Sequence, residues 1–354
     1  MDLPQAMRAG TRSRAGFEEG VSIVSSIMTN ASAMTALQTL NATNKSLETT
    51  QSRISTGYRV AEAKDNAAYW SIATTMRSDN KALSVVQDAL GLGASKVDTA
   101  YTAMNKVMER VDEIKVKLVA AVGASAENKD KIQAEVAALQ TQLKSFADSA
   151  SFSGTNWLSV ASTVAAGNPA AGTHADAEIV SSFSRDASGN VVLSKIKINV
   201  QGIKLYDSAA TTAETRGITE GLRLATTGVR EDTATAGVAG TIAALDGYSV
   251  SSLTVVGFTD AQITQMITVA DQTLSDIADA ATMLGAAKKQ IDLQKEFTTS
   301  LMDSIERGVG QLVDADMNKE STRLQALQVQ QQLGIQSLQI ANGNAQSILA
   351  LFQN

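Results

Sequence analysis

Two stretches of this sequence carry no Asp, Glu, Lys or Arg: Val21 to Asn44, and Leu324 to Asn354 at the opposite end. A helix on the surface of a soluble protein normally places charge on its solvated side. Leu324 to Asn354 cannot, so both of its sides require cover. Projected at about 100° per residue, Leu324, Leu327, Ile335, Leu338, Ala345, Leu349 and Phe352 fall on one face. Val329, Leu333, Ile340 and Leu351 fall roughly opposite, with most of the glutamines between. The similarly uncharged N-terminal helix can cover one face. The other calls for a second copy, and Gln and Asn can line such a contact without the several kcal/mol that a buried unpaired charge costs. Head-to-tail use of two different faces builds an open helical polymer. The competing reading is an amphipathic helix inside a monomeric bundle or a soluble coiled-coil adaptor.

Composition narrows the classes further. Apolar residues make up 44% of the 354, enough for sizeable cores, yet aromatics are only 4%, with two prolines, one histidine and no cysteine. That is the composition of long helices packed through small side chains rather than of a pocketed enzyme. A net charge of −6 disfavours a nucleic-acid partner, whose phosphates reward a basic face. No stretch approaches the roughly 20 apolar residues of a membrane span, and the N-terminus lacks the apolar run of a signal peptide. With His174 the single histidine, a histidine metal cluster cannot be assembled, and a Ser-His-Asp triad would have to use that one residue, which sits in the loop-like stretch AAGTHADAE and reads as solvated. Asp314, Asp316 and Asn318 mimic the opening of a calcium loop, but Lys319 replaces the turn glycine and Gln325 the bidentate glutamate. Those acids, with Glu320, fit better as N-terminal helix partners. Gly91-Leu-Gly93 lies within a helical seam, so it is a poor phosphate loop. No cofactor, metal or catalytic residue is expected.

Along the chain, residues 1–23 show no sustained periodicity and are set aside as an irregular extension or a start-site artefact. Ala33, Leu37, Leu40, Asn44, Leu47, Gln51 and Ile54 give a first helical seam, broken at Gly57. A longer seam runs Leu83, Val86, Leu90, Gly93, Val97, Ala100, Met104, Val107, Val111, Ile114 and Leu118, as in a coiled coil. After a turn at Gly123 to Ala126, Ile132, Val136, Leu139, Leu143 and Phe146 predict a helix folded back on it. Between about 150 and 260 helical spacing fades. Ile196, Ile198 and Val200 alternate with polar residues behind the turn Asp186 to Asn190, and Tyr248 to Phe258 reads as a second strand, giving a separate small β-containing domain. Helix returns at Asp260, with a seam from Ile263 to Leu312. The fold class is therefore mainly α: an elongated coiled-coil bundle formed by both chain ends, with a smaller β-containing domain inserted in the middle.

Three motifs resemble a known family. Ser52 to Leu83 (SRISTGYRVAEAKDNAAYWSIATTMRSDNKAL) is similar to the N-terminal signature of bacterial flagellins of the rhizobium and agrobacterium type, and Glu320 to Phe352 to their C-terminal one. SFSGTNWL (Ser151 to Leu158) resembles the family's hairpin. The resemblance implies a secreted structural subunit, exported by the flagellar type III apparatus and polymerised beneath a filament cap. A hook–filament junction protein is the alternative within flagellar proteins. It further implies an inner tube from 24–60 and 313–354, a helical shell from 61–164 and 259–312, and an outer surface from 165–258. The implied partners are further copies, sister flagellins, the cap and hook-junction proteins. The self-assembly interface would comprise Leu37, Leu40, Leu47, Ile54, Leu327, Val329, Leu333, Ile335, Leu338, Ile340, Leu349, Leu351 and Phe352. At the family's Toll-like receptor motif, Arg110 and Glu113 fit but Asp112 replaces an arginine. In the segment that plants perceive, Tyr58, Ala61, Glu62, Tyr69 and Trp70 depart from the usual pattern. Weak recognition by both receptors is expected.

Overall fold

A computed structural model describes residues 30–162, 174–210, 212 and 215–352, and of 344–352 the backbone alone. The extension 1–23, the first charge-free residues up to 29, and the side chains of Ala345, Leu349, Leu351 and Phe352 lie outside the described residues. The chain divides into two compact units, one formed by the stretches up to Ser71 and from Leu312, the other by Ile72–Gln311.

In the first unit, helix α1 (Ala31–Thr56) begins where the Asn30 side chain accepts a hydrogen bond from the Ala33 N–H at 3.0 Å. It ends at Gly57, whose φ of 75° is the left-handed conformation that lets its N–H return to the Arg53 carbonyl. Helix α6 (Met317–Phe352) starts under Asp316, whose Oδ1 accepts from the Asn318 and Lys319 N–H groups. Of the acids expected there, Asp316 is the capping group, while Glu320 in the first turn pairs with Arg53. The connections preceding α6 and following α1 are pinned together: the Arg59 and Val60 N–H groups donate to the Val313 carbonyl, and Ala315 N–H to the Gly57 carbonyl.

The second unit is built on three helices, α2 (Ala67–Ala121), α3 (Ala126–Ser149) and α5 (Asp260–Val313). Every residue of the long seam from Leu83 to Leu118 is buried, and the stripe continues to Ala121. Side chains fix α5 antiparallel to α2: Gln87 donates to Thr299, Lys288 pairs with Asp98, and Lys115 with Asp271. Lys117 reaches Glu135 on α3. Ser151–Phe152 (β1) and Thr155–Asn156 (β2) form a hairpin through Ser153 and Gly154, both at positive φ. Ser159–Val160 (β3) pairs in parallel with Tyr206–Asp207 (β6), and Ala177–Arg185 (β4) forms a longer hairpin with Val191–Ile198 (β5) around the Asp186 to Asn190 turn. Arg223–Leu224 (β7), Thr235–Ala236 (β8) and Asp246–Tyr248 (β9) make a three-stranded sheet ordered β7-β9-β8.

Three expectations need correction. Val200 is not in the strand: the Asn199 side chain accepts from Gly202 N–H and starts the short helix α4 (Val200–Ile203). Tyr248 to Phe258 is not a strand beyond Tyr248, because α3 takes its backbone groups. Gln140 donates to the Val250 and Leu253 carbonyls and Gln133 accepts from Val255 N–H, holding a 3₁₀ turn at Val250–Ser252. Nor does the strand-bearing segment close a core of its own. Ile179, Ile196 and Ile198 belong to the same buried cluster as Val97 and Met104, and a Cβ on Gly93 would lie 2.6 Å from Ile179.

Candidate assembly interface

Helices α1 and α6 run antiparallel. Asn30 Nδ2 donates to the Ala341 carbonyl at 2.8 Å, Gln331 Nε2 to Asn44 Oδ1 at 2.8 Å, and Arg53 lies 3.3 Å from Glu320 at the far end. The face of α6 turned to α1 carries Glu320, Leu324, Leu327, Gln331, Gly334, Leu338 and Ala341, each buried or half-buried and spaced by three and four. Gly334 permits close approach: a Cβ there would stand 3.3 Å from Leu40 Cδ1.

The matching face of α1 consists of Ala33, Ala36, Leu40, Thr43, Leu47, Thr50 and Ile54. The sequence-based seam is therefore correct at Ala33, Leu40, Leu47 and Ile54 but displaced at the positions between them. Leu37 and Gln51 are exposed and Asn44 sits at the margin, exposed but accepting from Gln331, while Ala36, Thr43 and Thr50 face α6. Small residues take the contact because the two backbones are close, which a seam traced through the largest side chains does not register.

The interface residues expected from sequence thus fall into two sets. Leu40, Leu47, Ile54, Leu327 and Leu338 are covered within the subunit. Leu37 (50% exposed), Val329 (54%), Leu333 (55%), Ile335 (44%) and Ile340 (67%) are not. Ile335, placed by projection on the covered face, sits at its margin and is exposed. This outward stripe lies on helices without a formal charge between Leu324 and Asn354 or between Ala31 and Asn44.

Beside the stripe runs an open groove of about 740 Å³ lined by Ser32, Thr35, Ala36, Thr39, Thr43, Gln330, Leu333, Gly334 and Ser337. The threonine hydroxyls of α1 are engaged along the helix: Thr35 donates to the Ala31 carbonyl, Thr39 to Thr35 and Thr43 to Thr39, each at 2.9 Å. With the hydroxyl protons returned to the backbone, these threonines offer largely methyl surface. The four-residue threonine spacing is legible in the sequence, but a search for large apolar residues passes over it.

The remaining sequence candidates are dispersed. Arg110 donates to Glu113 at 2.7 Å on α2, beside an exposed Asp112, all within the second unit. His174 stands by a chain segment, its N–H donating to Gln201. Among the described residues, no group of three or more His, Asp or Glu side chains could hold a metal ion, and no helix is long and apolar enough to cross a membrane.

Residues 27–163 match the bacterial flagellin N-terminal helical region, and residues 267–352 match the bacterial flagellin C-terminal helical region. The chain belongs to the bacterial flagellin family. Flagellin C of Rhizobium meliloti (strain 1021) is 50% identical over 336 residues, spanning 93% of this chain and 100% of that protein. The flagellin of Brucella melitensis biotype 1 is 48% identical over 330 residues with the same coverage. Flagellin A of Rhizobium meliloti is 43% identical over 404 residues. As a flagellin of the alphaproteobacterial kind, the chain is a structural subunit that self-polymerises into the flagellar filament. The two matched regions contain the charge-free helices, so the family's shared segments and the unpartnered apolar stripe coincide in sequence.

Proposed function

We propose that the α1–α6 pair is the element through which subunits join, with each copy presenting its outward stripe and its threonine-lined groove to neighbouring copies. One observation carries this reading: Val329, Leu333 and Ile340 are each more than half exposed on a helix stretch with no charged residue. Leaving such a surface in water is unfavourable at about 25 cal/mol per Å² of apolar area. Burying it against an equally uncharged surface incurs no ionic desolvation. The covered residues Leu40, Leu47, Ile54, Leu327 and Leu338 then set the shape of the pair, while Leu37, Val329, Leu333, Ile335 and Ile340 make the contact between copies. Leu349, Leu351 and Phe352 would extend that contact.

In this reading residues 24–60 and 313–354 form the inner tube, 61–164 and 259–312 the shell around it, and 165–258 the outer surface. The subunit acts outside the cell, reached through the flagellar export apparatus, and meets the cap and hook-junction proteins as well as copies of itself. Relatives designated Flagellin A, B, C and D occur in one organism, which supports sister flagellins as co-assembling partners. Recognition at the Toll-like receptor motif is weak, because Asp112 brings a negative charge and Arg110 is held by Glu113. Recognition of the Tyr58 to Trp70 segment by the plant receptor is weak for its departures from the usual pattern.

Deleting Gln325–Asn354 tests the assembly role. The truncated chain is expected to retain the melting transition of its second compact unit and to form no filaments on seeding. Filaments of normal yield from the truncated chain would overturn the proposal.

A further inference from the structure

The hairpin of β4 and β5 lies along α2. Its inner side is buried: Ile179, Ile196 and Ile198 join the core cluster, and Gly93 of α2 leaves room for Ile179. At the tip, Arg185 donates to Asp79 of α2 through Nε at 3.1 Å and through a terminal nitrogen at 2.7 Å, a two-pronged ion pair that fastens this end to the helix.

The register of the hairpin changes part-way. Ile179 pairs with Ile196 and Val180 with Lys195, but Ser182 pairs with Ser194, which leaves Ser181 as an extra residue in β4. A bulge of this kind reverses the alternation of the strand beyond it. Without it Phe183, four residues after Ile179, would fall on the buried side. With it, Phe183 pairs with Leu193 on the outer side, beside Val191 opposite Arg185. Leu193 is 52% and Val191 53% exposed, while Phe183 is half-buried with the Arg185 guanidinium 5.8 Å over its ring. The bulge thus gathers apolar residues on the side of the tip that faces away from α2.

Charge indicates what covers them. On the same outer side Lys195 and Lys197 share one carboxylate, Glu178, which leaves this surface net positive. The chain carries a counterpart on α5. Leu293 and Phe297, one turn apart, are 53% and 58% exposed on the side of the helix away from the buried Ile291 and Thr298. Lys289, Asp292 and Glu296 run along one flank of this pair, all exposed, two acids against one base.

We infer that the outer side of the β4–β5 tip is a second contact between copies, seated on the Leu293–Phe297 strip of α5 in a neighbouring subunit. A second copy is the occupant because the chain self-polymerises and holds both halves of the match, an apolar patch with a basic rim and an apolar strip with an acidic one. The two halves lie on different elements of the unit Ile72–Gln311, so the contact is head-to-tail and leaves a free half at either end, as an open polymer requires. It is separate from the contact proposed for α1 and α6, and the filament on which it is tested forms whichever face of α6 joins copies.

Because the chain has no cysteine, engineered thiols report one contact at a time. Full-length Leu193→Cys and Phe297→Cys subunits are copolymerised with the unaltered chain on seeds and treated with a short bismaleimide. Mixed dimers joining position 193 to position 297 are expected from filaments, in excess of either like-with-like dimer, and none from the same mixture kept as monomer. Leu193→Asp should raise the critical concentration for seeded growth about tenfold or more and leave the monomer's melting temperature unchanged. If that variant folds poorly, the cross-linking result decides alone. Filaments that yield only like-with-like dimers or no dimers would refute the inference, as would growth of folded Leu193→Asp at the unaltered critical concentration.

Discussion

Replacing Leu333 by Asp separates assembly from folding. Leu333 is 55% exposed in the subunit, so about half of its side chain is available for burial by a neighbour. Full burial of a leucine contributes roughly 1.5–3 kcal/mol, of which the exposed half accounts for about 1 kcal/mol. The variant also places a carboxylate in a contact that offers it no cation, and desolvating an unpaired charge costs roughly 3 kcal/mol or more. The sum is about 4 kcal/mol, or on the order of 10³-fold in the critical concentration for polymerisation. Because the side chain is exposed on the outward face, subunit stability should change by no more than about 0.5 kcal/mol. Leu327→Asp is the companion variant. Leu327 is 8% exposed and packs toward α1, so a carboxylate there should disturb the helix pair itself. Seeded polymerisation followed by sedimentation over a range of concentrations gives the first quantity, and far-ultraviolet circular dichroism with thermal melting gives the second. Normal assembly of Leu333→Asp, or equal loss of helix in both variants, would refute the division of α6 into an inward and an outward face.

Three further outcomes are expected. Gly217→Ala should destabilise the second compact unit by about 3 kcal/mol or more in urea titration, since a Cβ there would stand 2.0 Å from the Leu205 carbonyl oxygen, a backbone atom that cannot rotate away. Burial raises the Asp207 pKa, but Lys204, the Ser162 hydroxyl and the Ser162 and Ala209 N–H groups outweigh it, leaving the value below that of an ordinary carboxylate. The stability it contributes is therefore present above the unfolded pKa of about 4 and lost as pH falls through the lower folded value. Asp207→Asn should flatten that part of the melting-temperature profile, and Lys204→Met, which strands a buried carboxylate, should cost about 3–5 kcal/mol at neutral pH. Purified monomer should activate the Toll-like receptor only weakly in a reporter-cell assay, with Asp112→Arg raising the response; strong activation by the unaltered chain would contradict the reading of Asp112.

The long helices were legible because their periodicity is dense. The eleven seam residues from Leu83 to Leu118 are all buried, a pattern set by the 3.6-residue turn and little else. The hairpin at Asp186 to Asn190 was legible because its turn chemistry is local, with Asp186 Oδ1 accepting from the Ser188 and Asn190 N–H groups. The Tyr248 to Phe258 segment was not, since Gln133 and Gln140, more than a hundred residues earlier, satisfy the backbone groups that a strand partner would have taken. The seam of α1 was half legible. Its leucines marked the turn, but whether Leu37 or Ala36 faces inward depends on how closely α6 approaches at Gly334.

By itself, then, the sequence determined that this flagellin would be mostly helical and that Val21 to Asn44 and Leu324 to Asn354 lack charge, and hence that water could not be the intended neighbour of α6 on every side. Those are properties of composition and period, carried within one segment at a time. Only the tertiary structure decided which side of α6 is already covered, and that small residues rather than leucines take part of that contact. Each of these depends on the separation and rotation of elements distant in sequence. A linear pattern fixes the angle of a side chain about its own helix, but not the position of the neighbour that receives it.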